Sequence, residues 1–303
     1  MPLQNKTVTT EHRFIPHQML QLLGINADEF KQSLSSASDP GSISKLLQKQ
    51  REMKAVVLRV GIDGGEDLIR QIEPAEVFAA VNKLFALAVP AVRQFGGVID
   101  RFLDDGFQAL FTDERDAGLS AAIQIRENLL RESYEREDRV TIGLTYGNVS
   151  VGMIGYEERM SPFTISTHTG IGRFLQEKAY GYHAHILATG NLVDAVPDCA
   201  TRFANRLLGS YYIESTESVE PIYDLFDGDD IATRQAKKKT KLLFEKGLEL
   251  FFARDFVRAR GFFIEVLKAD RKDRAAREYL SLCDNFRNDP PEEGKAALCL
   301  ERF

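Results

Sequence analysis

The sequence predicts an α+β fold, in which a βαββαβ sheet carries helices on one face and is followed by a purely helical extension. Three observations predict it. The middle of the chain alternates between period-two and period-3.6 hydrophobic patterns in the order strand, helix, strand, strand, helix, strand. Tight polar turns such as Asp104-Asp105-Gly106 separate those patterns, as a ferredoxin-like sheet requires. Beyond Asp227-Gly228-Asp229-Asp230 only helical spacing remains.

These changes divide the chain into a helical lead-in (residues 1–52), a central domain (53–229) and a helical C-terminal extension (230–303). In the lead-in, residues 13–24 read as a short amphipathic helix closed by Gly24. A Ser, Asp, Pro and Gly-rich segment follows, and then a second helical stretch, ISKLLQKQREM. The apolar run 55–62 reads as a buried strand. From 74 to 95, Val77, Val81, Leu84, Phe85, Ala88, Val92 and Phe95 recur at helical spacing, with Pro90 expected to kink the helix. Residues 98–102 and 107–111 read as strands around the Asp-Asp-Gly turn. TDERDAGLSAAIQIRENLL opens with a capping pattern and forms the second helix. Val140, Ile142, Leu144 and Tyr146 alternate on one strand, and Val149, Val151 and Met153 on the next, with Gly147-Asn148 read as the turn between them. Short strands and at least one helix complete the central domain.

In the extension, two or three antiparallel helices are expected, with Gly247, Ala259 and Phe263 at the spacing of a tetratricopeptide helix pair. One such unit cannot bury its own faces, so it is expected to pack on the central domain or on a protein partner. The stretch with Pro290-Pro291 reads as a tail.

Composition narrows the function classes. Hydrophobic residues at 44% and charged residues at 28% fit an ordinary globular protein. A net charge of -6 lacks the basic face of a general nucleic-acid binder. Cys199, Cys283 and Cys299 are far apart, which predicts reduced thiols, no zinc framework and a cytoplasmic location. No uninterrupted apolar run reaches the roughly 18 residues of a membrane span.

The stretch GGVIDRFLDDGFQALF resembles the surroundings of the second metal-binding aspartate in class III adenylyl and guanylyl cyclases. Gly96, Gly97, Asp100, Phe102, Asp105, Gly106, Ala109 and Phe111 carry the match. LTYGNVSVGMIG is similar to a later hairpin of the same family, and RFIPHQMLQLLG to the lead-in of many bacterial members. The resemblance covers nearly the whole chain. It implies a catalytic domain that pairs head to tail and uses two metal ions to activate a ribose hydroxyl against the α-phosphate.

Carried over residue by residue, the resemblance leaves that site depleted. The first metal-binding aspartate becomes Gly61, with Asp63 two residues on; the second is Asp105, a metal ligand or a turn residue. The purine-reading lysine becomes Arg101, and its partner in reading the base becomes Phe163. The ribose-orienting asparagine becomes Gly170, and the charge-stabilising arginine becomes Phe174, with Arg173 expected to point elsewhere. The late phosphate-binding lysine falls at Glu214. The expectation is therefore a cyclase homologue without catalysis, acting as a regulatory or scaffolding homodimer. It needs no cofactor, Mg²⁺ or Mn²⁺ entering only if activity remains. Two alternatives stay open: an active or heterodimeric cyclase, and a small-molecule module using the old cleft between Phe163 and Phe174. Elsewhere, His183 and His185 share a face of an expected strand, and RQAKKKTK reads as the solvated start of a helix.

Overall fold

A computed structural model describes residues 17–26, 28, 49–64, 73–156, 159–214, 217–292 and 298–302. After a short helix α1 (His17–Leu22), the chain runs through β1 (Gln50–Ile62), α2 (Pro74–Gln94), β2 (Val98–Phe102), β3 (Gly106–Phe111), α3 (Arg115–Arg131) and β4 (Val140–Tyr156). This is the expected βαββαβ order. It continues through β5 (Arg159–Ile165), α4 (Thr167–Ala179), β6 (Ile186–Thr189), α5 (Gly190–Ala195), α6 (Cys199–Arg202), β7 (Asn205–Ile213) and β8 (Ser218–Leu225). Helices α7 (Ile231–Phe252), α8 (Phe256–Ala269) and α9 (Arg274–Asn288) follow, and strand β9 (Glu301–Arg302) ends the described chain.

The strands join in the order β2-β3-β1-β4-β6-β8-β7-β9, with β5 paired to β4. Alternation along β1 sets the two layers. Val56, Leu58, Val60 and Ile62 face the core under α2 and α3, whereas Ala55 and Val57 face the opposite side with Met19, Leu20 and Leu23 of the lead-in. Helix α4 covers the rest of that second face, where residues 57, 59 and 61 point toward it.

Several expectations change. Strand β1 begins at Gln50, so QREM continues the sheet by pairing with β4 instead of ending a helix. Residues 43–48 lie outside the described residues. Gly147-Asn148 is no turn: β4 runs through it unbroken, Gly147 opposite Ala55 and Asn148 opposite Lys54. Glycine is needed at 147 because a Cβ there would collide with the His168 imidazole of α4. Helix α2 passes through Pro90 and continues to Gln94. Among the described residues it is one helix long and apolar enough to cross a membrane by length and composition; here Val81, Leu84, Ala88 and Val92 are buried in the core. Helix α3 starts at Arg115, and its N-cap residue Glu114 makes no side-chain cap. The chain end is no free tail, since β9 pairs in parallel with β7.

The helical extension packs on the central domain. Gly247 of α7 faces the Phe263 ring of α8, 2.9 Å from where a Cβ would stand. Phe244, Phe251, Phe263 and Tyr279 share one core with Leu175 of α4 and Leu208 and Tyr211 of β7. A buried charge network reinforces the contact. Arg206 of β7 binds Asp224 of β8 (3.1 Å) and Asp273, the N-cap of α9 (2.5 Å). Lys237 of α7 binds Asp224 (2.9 Å) and Asp229 (2.7 Å), and Asp229 holds His185 Nδ1 (2.7 Å). The basic run is thus partly internal: Lys237 is 2% exposed because two carboxylates replace its hydration. His183 and His185 precede β6 instead of lying on a strand, and His185 is committed to Asp229.

Candidate functional site

A cleft of about 870 Å³ opens where β1 ends, between the β2–β3 turn and α4. Its walls include Arg59, Asp63, Arg101, Asp104, Asp105, Gly170, Arg173 and Gln176. Three arginines thus face the cleft with four carboxylates, the fourth being Glu177.

Arg59 stands in the apolar run of β1 and points to the α4 side, two residues before Gly61. Its Nη2 donates to Asp105 Oδ1 at 2.6 Å, and its side chain is 7% exposed. Asp105 also holds the turn through its carbonyl, which accepts from Ile62 N–H at 3.0 Å. At Gly61 the space a side chain would need is filled: the Gln176 amide lies 2.8 Å from where a Cβ would stand. Gln176 Nε2 donates to Thr141 Oγ1 at 2.9 Å, which fixes that amide. Asp63 lines the cleft at the strand end and faces Arg139 at 3.5 Å.

Arg101 and Phe163 do meet. The guanidinium sits 4.0 Å from the ring centroid, a cation–π stack. Buried Asp100 sets the arginine's direction: it accepts from Arg101 Nε (2.7 Å), Gln108 Nε2 (2.6 Å) and Thr164 Oγ1 (2.6 Å). Arg101 Nη2 donates to the Thr164 carbonyl at 2.9 Å, tying β2 to β5.

Gly170 and its neighbour Thr169 line the cleft from the start of α4. Phe174 does not; its ring packs edge-on against Tyr211 at 5.4 Å, in the core shared with the C-terminal helices. Arg173 takes the opposite course from the one expected. It lines the cleft and pairs with Glu177 at 2.7 Å, a bond one helical turn long that raises its pKa. Glu214 follows β7, is exposed and is not part of the cleft wall. Sequence reasoning missed Arg59 and Gln176, and named Asp100 only as part of the resemblance. A lone arginine inside AVVLRVGI was a usable signal, whereas nothing in the sequence marks Gln176.

No family model matches the chain. Curated relatives do, adenylate cyclases among them. An adenylate cyclase of Anabaena cylindrica is 25% identical over 232 residues, covering 73% of this chain and 43% of the relative. The terminal-differentiation specific adenylate cyclase of Dictyostelium discoideum is 24% identical over 217 residues, covering 69% of this chain and 10% of the relative. The chain thus spans less than half of either protein. Among solved structures, a bacterial light-regulated adenylyl cyclase superposes with a TM-score of 0.57 at 17% identity, covering 73% of this chain and 61% of that one. The adenylyl cyclase CyaB from P. aeruginosa gives 0.50 at 20% identity, covering 58% and 95%. The chain carries a class III nucleotide cyclase-like domain.

The site of the cyclase-like domain can be compared with the chemistry its fold implies. Catalysis by two divalent ions needs charged oxygens that converge. Of the two positions that the resemblance assigns to carboxylates, Gly61 lies under an amide and Asp105 is paired with a guanidinium. The residues present do not fit the metal pair.

Proposed function

We propose that this cyclase-like chain does not cyclise nucleotides and serves as a regulatory or scaffolding module in signal transduction, paired as a homodimer through the cyclase-like domain. The observation that carries this reading is the state of the three cleft arginines. Arg59 is paired with Asp105, Arg101 with Asp100 and Arg173 with Glu177. A triphosphate entering the cleft would find each cation already neutralised and two more carboxylates, Asp63 and Asp104, in its path. A developing charge on the α-phosphate would then go unanswered, since preorganised donors must be free to act. Loss of one such contact costs about 2.7–4 kcal/mol in transition-state stabilisation.

The test is direct. The full chain, incubated with ATP or GTP and either Mg²⁺ or Mn²⁺, is expected to form no cyclic nucleotide above a buffer blank. Product that disappears in the Asp105→Ala variant would overturn the reading and restore the enzyme alternative. Pairing is supported by Phe102, Ile154 and Ile165, large apolar side chains exposed on the neighbouring strands β2, β4 and β5. The helices α7–α9, of proposed tetratricopeptide-like character, would offer a second surface to a protein partner through exposed Leu242 and Val257.

A second reading has its own observation: a cleft of about 870 Å³ is open beside these ion pairs. That falls within the roughly 300–1,000 Å³ typical of small-molecule sites. The Arg101–Phe163 stack at its edge would suit a flat ring.

A further inference from the structure

We infer that Arg59 has taken the place of a divalent cation on Asp105, so that the cleft is held in shape by a permanent internal cation and excludes metal. This deepens the reading of the chain as a non-cyclising homologue and rests on it. The argument starts from the strand. Residues 57, 59 and 61 of β1 share one face, so a side chain at 59 reaches along the sheet toward the ground a carboxylate at 61 would hold. Arginine is long enough to cross from β1 to the β2–β3 turn, and its Nη2 meets Asp105 Oδ1 at 2.6 Å.

The other oxygens do not rebuild a site. The Gln176 amide covers Gly61, and although its Oε1 has no hydrogen-bond partner, that atom is neutral and buried. Hard divalent ions favour charged oxygens. Asp63 faces Arg139 at 3.5 Å, and Asp104 is exposed. Among the described residues no three His, Cys, Asp or Glu side chains converge as a metal-binding group. A guanidinium beside Asp105 also repels any second cation there.

The consequence is mechanical. A metal ion comes and goes with its concentration, whereas an arginine stays charged at any physiological pH. The junction between β1 and the β2–β3 turn is therefore fixed whatever the supply of divalent ions. The cleft responds to other ligands or to none.

Electron paramagnetic resonance of the full chain titrated with Mn²⁺ tests this. The wild type is expected to leave the free-ion spectrum unchanged and to melt at the same temperature in EDTA and in Mn²⁺. Arg59→Met keeps the apolar stem and deletes the cation. It is expected to gain Mn²⁺ binding, which Asp105→Asn added to it removes. Mn²⁺ bound by the wild type and lost in Asp105→Asn would overturn the inference, as would a folded Arg59→Met that binds none. If Arg59→Met does not fold, the single variant Asp105→Asn decides. A fall in melting temperature of equal size in EDTA and Mn²⁺ supports the inference, and a fall seen in Mn²⁺ alone overturns it. Cyclic nucleotide from the wild type would sink the wider reading, whereas Mn²⁺ held at Asp105 by an inactive wild type would sink only this one.

Discussion

At the scale of single residues, the cleft is defined by substitutions that support one another. Gly61 leaves room that Gln176 fills, and Arg59 supplies the charge that Asp105 requires. This coupling predicts the outcome of restoring one acidic residue. Gly61→Asp should produce no cyclase activity and should destabilise the fold, since the Gln176 amide must swing away and give up its bond to Thr141. Losing a buried hydrogen bond and leaving its partners unpaired costs about 1–3 kcal/mol. Urea denaturation followed by circular dichroism measures it, and a variant as stable as the wild type would show that Gln176 moves freely. The sequence made the absence at Gly61 visible but not its replacement, because Gln176 lies 115 positions away on α4 and only folding brings the two together. It also misdirected Arg173 and Phe174, whose neighbouring side chains go to the cleft and to the core respectively.

At the scale of elements, the C-terminal helices are held by aromatic packing that their spacing announced. Phe263 is fully buried, edge-on to Phe244 at 5.6 Å and stacked on Tyr279 at 5.1 Å. Removing a ring from such a site costs about 3–5 kcal/mol. Phe263→Ala should therefore loosen α7–α9 and make them susceptible to limited proteolysis while β1–β4 stay protected. Unchanged protease resistance of the extension would show that the packing is more redundant than the geometry suggests. The reading of β4 failed at Gly147-Asn148 for a local reason. That dipeptide fits a tight turn, but here the glycine serves the close approach of His168. Alternation on both sides of it was sound, and it belongs to one strand of 17 residues.

At the scale of the molecule, the charge network between sheet and helices should set a pH window. Burial opposes ionisation of Asp229, but Lys237 and His185 outweigh it and hold the carboxyl well below the usual range. Burial likewise opposes the charge on Asp273, and Arg206 overrides it, lowering that pKa. Both folded-state values are depressed, so their stabilisation is present above the ordinary carboxylate pKa and is lost as pH falls through the folded values. Lys237 runs the other way: burial lowers its pKa, but Asp224 and Asp229 raise it further, so its contribution is present below the ordinary lysine value and fades as pH rises through the folded one. The network's own contribution to stability should be constant between about pH 5 and pH 10 and fall on either side. Lys237→Met should remove the network's share of the alkaline fall and leave Asp224 with Arg206 alone and Asp229 with His185 alone. Breaking a buried pair in this way costs about 3–5 kcal/mol. A wild type equally stable at pH 3 and pH 7 would count against the network. For assembly, light scattering at micromolar concentration should give about twice the chain mass of 34.1 kDa. A clean monomer would remove the scaffold dimer.

The sequence by itself determined the layer order, because hydrophobic period and turn residues are local properties that each segment carries alone: β1-α2-β2-β3-α3-β4 was readable, as was a helical extension after Asp230. Through the resemblance it also proposed which groups are missing, at Gly61, Gly170 and Phe174. Only the tertiary structure decided what replaced those groups. Arg59 with Asp105, Gln176 over Gly61 and Arg206 with Asp273 each join positions 46 or more residues apart. The strength of a buried ion pair or a filled gap depends on distance and on exclusion of water, and neither exists until the sheet and helices have closed on each other.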